Sequence, residues 1–269
     1  MPAGSSGAGL VGLRDRVALA VREGGALALQ TFRGEIKSWI KYKTSPVSEA
    51  DLAVDTLLRE RLLAIHDAGW LSEETEDDPV RLARTDAWVV DPIDGTRAYL
   101  AGSSDWAVSV ALVRSGRPIL AALYAPVTDE LFLALAGAGA TRNGAPIEAT
   151  PGDGLAGAKF SGAKSRLERL AVIEPRIAIA PRIPSLALRL ARVAMGALDG
   201  TFTAPNSHDW DLAAADLLVH EAGGMLTTLA GQALVYNQPE PVHGALLAAG
   251  RRRHAALLGL IRSRPAEFA

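Results

Sequence analysis

The feature that most restricts the fold of this 269-residue chain is a series of short apolar runs joined by very short connections. Runs at residues 106–113, 119–124 and 131–135 predict three strands. Ser115-Gly116 separates the first two, and a turn at residues 127–129 precedes the third. Parallel neighbours need a long crossover, so connections this short join only antiparallel strands. The first half of the chain is therefore predicted to contain an antiparallel meander.

Two helices are predicted before this meander. Apolar residues recur at helical spacing over residues 17–32, although Gly24-Gly25 weakens the pattern. A second helix is predicted from Ser48 to about residue 65, because residues 48–51 read as a capping box. Residues 87–90 then form a short apolar strand that is expected to stop at Asp91-Pro92.

The second half of the chain alternates between strands and helices. A segment rich in Gly, Ala and Pro at residues 148–162 is expected to connect the two halves. Strands are predicted at residues 176–179, 201–203 and 245–248, and helices at residues 185–198, at 211–221 and from 251 onward. We therefore expect an α+β half at residues 1–150 and an α/β half at residues 151–269.

Charge and composition exclude several classes of protein. With 28 Lys and Arg against 30 Asp and Glu, the chain has no basic excess of the kind typical of nucleic-acid binders. It has no cysteine, which excludes disulfides and thiolate chemistry. We find neither a signal peptide nor an uncharged apolar run of about 18 residues. We therefore expect a cytoplasmic protein that binds neither nucleic acid nor a membrane.

The densest chemical signal is Asp-Pro-Ile-Asp-Gly-Thr at residues 91–96. Asp91 and Asp94 lie three residues apart on a turn made rigid by proline, so that their carboxylates can converge. Gly95 allows a tight turn, and the following residues can open a helix whose free N–H groups bind an anion. Carboxylates for a hard cation beside N–H groups for a phosphate are typical of phosphoryl-transfer sites. Taken singly, Asp91 could simply end a strand and Asp94 could simply cap a helix. These roles do not explain why the two carboxylates occur together with a Gly-Thr pair.

Other acidic residues each have an ordinary structural explanation. Glu73 and Glu74 fit a solvated loop, Asp211 fits the first turn of a helix, and Asp51 fits a capping box. A pair of metal ions about 3.5–4 Å apart, however, needs several carboxylates from separate segments. Together with Asp91 and Asp94, these residues would supply that number.

With these residues, the chain resembles the inositol monophosphatase family of lithium-sensitive, Mg²⁺-dependent phosphatases. The resemblance rests on residues 91–96, on Trp-Asp-Leu-Ala-Ala at 210–214 and on Glu-Ala-Gly-Gly at 221–224, with an acidic pair upstream. It implies a layered α-β-α-β-α sandwich and the hydrolysis of a small phosphate monoester with two or three Mg²⁺ ions. We also expect a homodimer.

The resemblance also implies a role for each site residue. Glu73, Asp91 and the Ile93 carbonyl would hold the first metal, and Asp91, Asp94 and Asp211 the second. Glu73 and Thr96 would position the attacking water, and Asp51 would support Thr96 or a third ion, with Glu74 nearby. Phosphate would be held by the backbone N–H groups of Gly95 and Thr96.

The substrate is less constrained by these motifs. Where inositol-selective relatives carry a ring-binding Glu, this chain has Ala204, and the family's small turn reads Pro184-Ser185-Leu186. The Arg97-Ala98-Tyr99 sequence resembles the branches that act on adenosine 3′,5′-bisphosphate or histidinol phosphate. Leu186 and Tyr99 are expected to offer an apolar surface to the substrate. A non-catalytic regulatory protein that binds metal or phosphate on the same fold is the alternative from another functional class.

Overall fold

Two helices and a small hairpin form the outermost layer of the computed structural model, which describes residues 7–34, 36–41 and 45–268. The elements are α1 (Gly7–Thr31), β1 (Ser38–Lys41), β2 (Ser45–Ser48) and α2 (Glu49–Ile65). The predicted capping box at Ser48 is confirmed. Gly24 and Gly25 have a packing role, because a Cβ on Gly24 would lie 3.2 Å from Val54 and one on Gly25 would lie 2.7 Å from the Tyr124 ring. The glycine pair that weakens the helical pattern thus lets α1 lie close to its neighbours.

The larger sheet lies beneath these helices and contains the predicted meander. Its strands follow chain order: β3 (Gly69–Ser72), β4 (Asp86–Asp94), β5 (Ala107–Arg114), β6 (Arg117–Ala125), β7 (Glu130–Leu135), β8 (Ala140–Arg142) and β9 (Ala145–Pro146). From β4 to β9 every neighbouring pair is antiparallel, which confirms the prediction for β5, β6 and β7, whereas β3 pairs in parallel with β4. A 3₁₀ helix at Pro79–Ala83 lies in the β3–β4 crossover.

The end of β4 differs from the prediction. The strand was expected to stop at Asp91-Pro92, but it continues to Asp94, with a shift in its register against β5 between Asp91 and Asp94. An irregularity of this kind re-aims side chains at the end of a strand. The short helix α3 (Thr96–Leu100) follows directly.

A second, smaller sheet and the remaining helices come from the second half of the chain. The strands of the smaller sheet are β10 (Lys159–Gly162), β11 (Ala178–Ile179), β12 (Gly200–Phe202), β14 (Gly224–Thr228) and β16 (Leu246–Gly250). They lie in the order β11-β10-β12-β16-β14. A separate pair joins β13 (Ser207–His208) to β15 (Val242–His243). The helices are α4 (Lys164–Ile173), α5 (Leu186–Ala194), α6 (Asp209–Glu221), α7 (Arg251–Ser263) and α8 (Pro265–Phe268).

Three hydrophobic clusters separate the layers. One joins α1 and α2 to the larger sheet, the second fills the space between the two sheets around α5 and α6, and the third packs α4, α7 and α8 on the far side of the smaller sheet. Trp88 and Val90 face the first cluster whereas Val89 faces the second, as expected when successive side chains of a strand point to opposite faces. The predicted layered α-β-α-β-α sandwich is confirmed. Within the described residues, no helix combines the length and apolar character needed to cross a membrane.

Candidate active site

Three carboxylates from distant parts of the chain meet at one point. Asp91 and Asp94 lie at the end of β4, Asp211 lies in the first turn of α6, and one oxygen of each lies within 4.8 Å of the others. Helix α6 begins at Asp209 rather than at Asp211, so Asp211 occupies its third position and accepts a hydrogen bond from the His208 N–H at 2.7 Å. Helix α6, which lies between the two sheets, therefore places the third carboxylate beside the end of β4.

The turn after β4 is held by local contacts. The Asp91 carboxylate accepts a hydrogen bond from the Ile93 N–H at 3.0 Å, so the chain turns back across its own side chain. Gly95 has a φ of +99°, and a Cβ there would lie 2.8 Å from the Asp105 carbonyl oxygen. Both the conformation and the close approach require glycine at this position.

Asp94 is also a structural cap, but of a helix distant in sequence. It accepts hydrogen bonds from the Ser185 hydroxyl at 2.5 Å, the Ala187 N–H at 2.6 Å and the Leu186 N–H at 3.2 Å. These groups form the start of α5, and Ser185 is its N-cap. An ionised carboxylate has about four acceptor sites, so Asp94 can make these contacts and still face a cation. Sequence reasoning offered a cap as the alternative to a ligand, whereas the geometry is compatible with both.

Burial and mutual repulsion make this cluster unfavourable for unbalanced negative charge. The pKa of Asp91 lies well above its usual range, because the carboxylate is buried and because Glu73, Asp94 and Asp211 are close. Burial, and then the charge of Asp94, raises the pKa of Asp211 to about 7. Burial also raises the pKa of Asp94, although the hydrogen bonds from α5 oppose the shift. An all-oxygen donor set that repels itself in this way fits a hard divalent cation.

Thr96 and Asp51 form a hydrogen-bonded pair beside the cluster. The Thr96 hydroxyl lies 3.1 Å from an Asp51 oxygen and 3.2 Å from the Ile93 carbonyl oxygen. Asp51 is buried and its other oxygen accepts from the Ser48 hydroxyl at 2.5 Å and the Ser48 N–H at 2.8 Å. The capping box of α2 therefore also fixes the carboxylate that contacts Thr96.

The two residues of the acidic pair lie in different places. Glu73 lines the same cavity as the three aspartates, although it lies outside their 4.8 Å cluster. Glu74 lines a separate cavity with residues of α2. The chain bends at residues 73–75, after β3 has ended, and of the two acids only Glu73 lines the cavity of the three aspartates. The structure therefore does not bring Glu74 to the predicted site.

Asp55 was missed by the sequence analysis. It is buried on α2 and accepts hydrogen bonds from the Ser72 hydroxyl at 2.5 Å and the Thr75 hydroxyl at 2.6 Å. These two hydroxyls flank Glu73 in the chain, so Asp55 holds the loop that presents it. The available signal was the position of Asp55 four residues after Asp51, on the same face of α2.

A second missed network holds the start of α6. Asp209 is fully buried and accepts from His243 Nε2 at 2.7 Å and from the Asn237 N–H at 2.6 Å. Arg81, also buried, donates to the Asn237 side chain at 2.7 Å and to Asp77 at 2.6 Å. Because the Arg81–Asn237 contact joins residues 156 positions apart, no local pattern could have indicated it.

The predicted apolar surface for the substrate is wrong. Tyr99 packs against Trp106 at 5.0 Å and bonds through its hydroxyl to Thr31 at 2.7 Å, and Leu186 lies in the core between the sheets. Ala204 is exposed. The cavity itself, of about 440 Å³, is lined by Pro46, Glu73, Asp91, Asp94, Gly95, Thr96, Arg97, Arg182, Pro184 and Asp211. Both apolar side chains point into the hydrophobic core because burial there stabilises them more than a polar cavity would.

A five-layer α/β sandwich with carboxylates converging at the end of a strand is typical of metal-dependent phosphatases. The model of the inositol monophosphatase family matches residues 12–265. The chain belongs to the inositol monophosphatase family, as the sequence motifs predicted.

Relatives with two different names are similar to the chain. An inositol-1-monophosphatase of Rhizobium meliloti (strain 1021) is 33% identical over 232 residues, which cover 81% of this chain and 83% of that protein. A protein named Nus factor SuhB, from Xylella fastidiosa (strain Temecula1 / ATCC 700964), is 36% identical over 212 residues, covering 76% and 74%.

Solved structures agree in fold. The extragenic suppressor protein suhB of Bartonella henselae has a TM-score of 0.83 and 25% identity, and covers 93% of this chain and 98% of that one. The IMPase TM1415 of Thermotoga maritima has a TM-score of 0.79 at 23% identity, covering 95% and 98%, and supports the fold alone.

Proposed function

We propose that the protein is a Mg²⁺-dependent phosphomonoesterase that hydrolyses a small phosphate monoester. The observation that carries the proposal is the meeting of Asp91, Asp94 and Asp211 within 4.8 Å, beside the hydrogen-bonded Thr96 and Asp51. Family membership supports the same chemistry.

The resemblance to the family supports two sets of metal ligands. Glu73, Asp91 and the Ile93 carbonyl would hold one Mg²⁺, and Asp91, Asp94 and Asp211 would hold the other. When bound, such ions supply charge neutralisation for a phosphate and a lowered pKa for water. Asp91 belongs to both sets, which agrees with its burial and its four acidic neighbours.

Thr96, Asp51 and Glu73 would orient the attacking water. The Thr96 hydroxyl has one hydrogen, and donating it to Asp51 leaves the oxygen lone pairs free to accept a hydrogen bond from water. Glu73 lines the same cavity and would accept the second proton of that water. Attack on phosphorus would be in line and would form no covalent enzyme intermediate.

Phosphate would be held by the turn that follows β4. The backbone N–H groups of Gly95 and Thr96 open α3, where they have no partner within the helix. Since Gly95 adopts a positive φ with no side chain, a phosphate oxygen can approach this backbone closely.

Candidate substrates are inositol 1-phosphate-like esters, 3′(2′),5′-bisphosphate nucleotides and histidinol phosphate. Relatives named inositol-1-monophosphatase support the first. The resemblance of residues 97–99 to the branches acting on nucleotide bisphosphates or histidinol phosphate supports the other two.

Asp211→Asn is the variant that tests the proposal. Asp94 is less suitable, because its three hydrogen bonds to α5 would be weakened together with any metal site. Phosphate release from a panel of the three substrate types should fall by about 100-fold or more, since a lost charge at such a site costs several kcal/mol of transition-state stabilisation. Asp153→Asn, which changes an exposed aspartate in the connection between the halves, should leave release unchanged.

Wild-type protein that releases no phosphate from any ester with Mg²⁺ present would contradict the proposal. That result would favour the regulatory alternative, which is consistent with relatives named Nus factor SuhB.

A further inference from the structure

We propose that Arg182 forms an anion subsite in the cavity, so that the preferred phosphate monoester carries a second anionic group on its alcohol. This inference rests on the proposed function and specifies its substrate class. It also replaces the apolar surface that the sequence had suggested.

Among the described residues, Arg182 is a cation without a protein partner. It lines the cavity together with Glu73, Asp91, Asp94 and Asp211, and it is exposed. Across the part of the chain that the structure describes, its guanidinium makes neither a hydrogen bond nor an ion pair with a protein group. A guanidinium has five donors in a rigid plane, so this side chain is available to a ligand.

Contacts on either side hold the backbone that presents Arg182. The Pro181 carbonyl accepts a hydrogen bond from the Ser161 hydroxyl at 3.0 Å, and the Ile183 carbonyl accepts one from the Arg189 side chain at 3.2 Å. Proline at position 181 further restricts the segment. Because the backbone is already ordered, binding an anion through Arg182 costs less conformational entropy.

The same segment is connected to the carboxylate cluster. Ser185, three residues after Arg182, donates its hydroxyl to Asp94 at 2.5 Å. Pro184, between them, lines the cavity. The position of the Arg182 backbone relative to the site of the transferred phosphate is therefore set by contacts within the protein.

A second guanidinium, that of Arg189, lies close enough to Arg182 for their charges to interact. Arg189 is buried, and its Nε has no hydrogen-bond partner among the described residues. Burial, followed by the nearby charge of Arg182, lowers the pKa of Arg189 to about 10, so Arg189 is cationic at neutral pH. Neither arginine forms an ion pair with a carboxylate in the described residues. The charges of Asp94 and Asp211 oppose this shift, so Arg189 is balanced by the carboxylate cluster and Arg182 is the arginine left for an added anion.

Charge and space then define the substrate class. Phosphate would occupy the end of the cavity formed by the carboxylates and Gly95, which leaves Arg182 to contact the alcohol portion. Guanidinium pairs in bidentate fashion with a carboxylate or a second phosphate, whereas a neutral hydroxyl accepts only an ordinary hydrogen bond. A cavity of about 440 Å³ has room for such a doubly anionic ester.

Matched pairs of esters test this subsite. Adenosine 3′,5′-bisphosphate is compared with adenosine 3′-phosphate, and 2-phosphoglycerate with glycerol 2-phosphate, each pair differing by one anionic group. Wild-type kcat/KM should favour the doubly anionic member by about tenfold or more, since hydrogen bonds between charged groups are worth more than neutral ones. Arg182→Gln should lower kcat/KM for the doubly anionic member far more than for the singly anionic member, and so remove most of this preference.

Arg169→Gln is the matched control. Arg169 is an exposed arginine on α4, beyond the smaller sheet, and its loss removes the same charge from the protein without touching the cavity. The preference should persist in this variant. An equal loss in both variants would show that net charge, rather than an Arg182 subsite, selects the substrate, and would overturn the inference.

A binding measurement separates this inference from the proposed function. Titration calorimetry in Ca²⁺, another hard cation that takes oxygen ligands, gives dissociation constants whether or not the esters are hydrolysed. Tighter binding of the doubly anionic adenosine ester by wild type, lost in Arg182→Gln, supports the subsite even for a protein without phosphatase activity. Equal affinity for both adenosine esters in wild type, or a preference retained in Arg182→Gln, rejects it.

Discussion

Replacing Asp55 with alanine should disturb the candidate metal site without removing any of its ligands. Asp55 lies on α2 and is the common acceptor for the Ser72 hydroxyl at 2.5 Å and the Thr75 hydroxyl at 2.6 Å. Glu73 lies between these two hydroxyls in the chain, so their release frees the loop that points its carboxylate into the cavity. Asp55 is thus a positioning residue.

The size of the effect follows from the two lost contacts. A hydrogen bond to a charged group is worth about 1.5–3 kcal/mol, and Ser72 is buried whereas Thr75 is partly accessible to water. Since Thr75 can exchange its contact for one to water, Asp55→Ala should lower the free energy of unfolding by about 2–4 kcal/mol. Asp55→Asn keeps one acceptor oxygen and should lose about half as much.

Two assays separate positioning from general loss of stability. Urea unfolding measures the free energy, and Mg²⁺ titration of phosphate release at temperatures where each variant is folded measures the requirement for metal. We expect the Mg²⁺ concentration for half-maximal activity to rise by about tenfold in Asp55→Ala, because Glu73 must be ordered by the cation itself. The increase should be smaller in Asp55→Asn, and the KM for the ester should change less than the Mg²⁺ requirement.

Glu60→Ala is the control, since Glu60 is an exposed acid on the same helix whose contact is a surface ion pair with Arg61. It should change neither the stability nor the Mg²⁺ requirement appreciably. An unchanged Mg²⁺ requirement in a folded Asp55→Ala variant would refute the reasoning, because Glu73 would then be positioned without Asp55.

Three further predictions concern other buried groups. Burial raises the pKa of Asp216 from 3.8 to about 6, so the folded state binds the proton more tightly than the unfolded state, and about 3 kcal/mol of stability is lost as the pH rises from 3.8 to 6. Asp216→Asn, whose side chain still accepts a hydrogen bond from Tyr236, should therefore raise the Tm more at pH 8 than at pH 4. An equal rise in Tm at the two pH values would contradict this. Burial lowers the pKa of His254 from 6.5 to about 4, so the free energy of unfolding should fall by up to about 3 kcal/mol as the pH falls from 6.5 to 4. Urea titrations of His254→Gln should not show this loss of stability. Gly95→Ala should lower the free energy of unfolding in urea by about 2 kcal/mol or more and abolish phosphate release, because the added methyl group would lie 2.8 Å from a carbonyl oxygen. Gly137→Ala is the control, since Gly137 has a similar positive φ of +77° but open space around it. Equal losses of stability in the two variants would show that the backbone conformation, and not the close contact, sets the loss.

Local sequence patterns were sufficient for most of the elements. The short connections of the meander require antiparallel pairing, and the structure confirms it from β4 to β9. The capping box at Ser48 marks the start of α2 because its contacts lie within one turn. The parallel strand β3 was not predicted, since its partner is reached through a crossover and its own segment of four residues is too short to show a period.

The candidate site was predictable in its residue types but not in its contacts. The motif at residues 91–96 indicated carboxylates for a cation from spacing alone. The number of carboxylates that two metal ions need suggested Glu73 and Asp211, and the resemblance to a known family implied the role of each. Spacing did not indicate that Asp94 caps α5, since Ser185 lies 91 residues away in the chain. The resemblance also implied that Glu74 lies near the site, whereas in the structure Glu74 lines a separate cavity beside α2.

The sequence by itself determined the class of fold, the carboxylate motif and the order of the longest helices and the meander strands, because each depends on residues close together in the chain. Only the tertiary structure decided which side chains share the cavity. Tyr99 and Leu186 were expected there but are buried in hydrophobic clusters, whereas Arg182, which no local pattern marks, lines it without a partner among the described residues. The reason is physical: a side chain's local pattern reports its own preference for water or for the core, while its neighbours depend on how distant layers pack against each other.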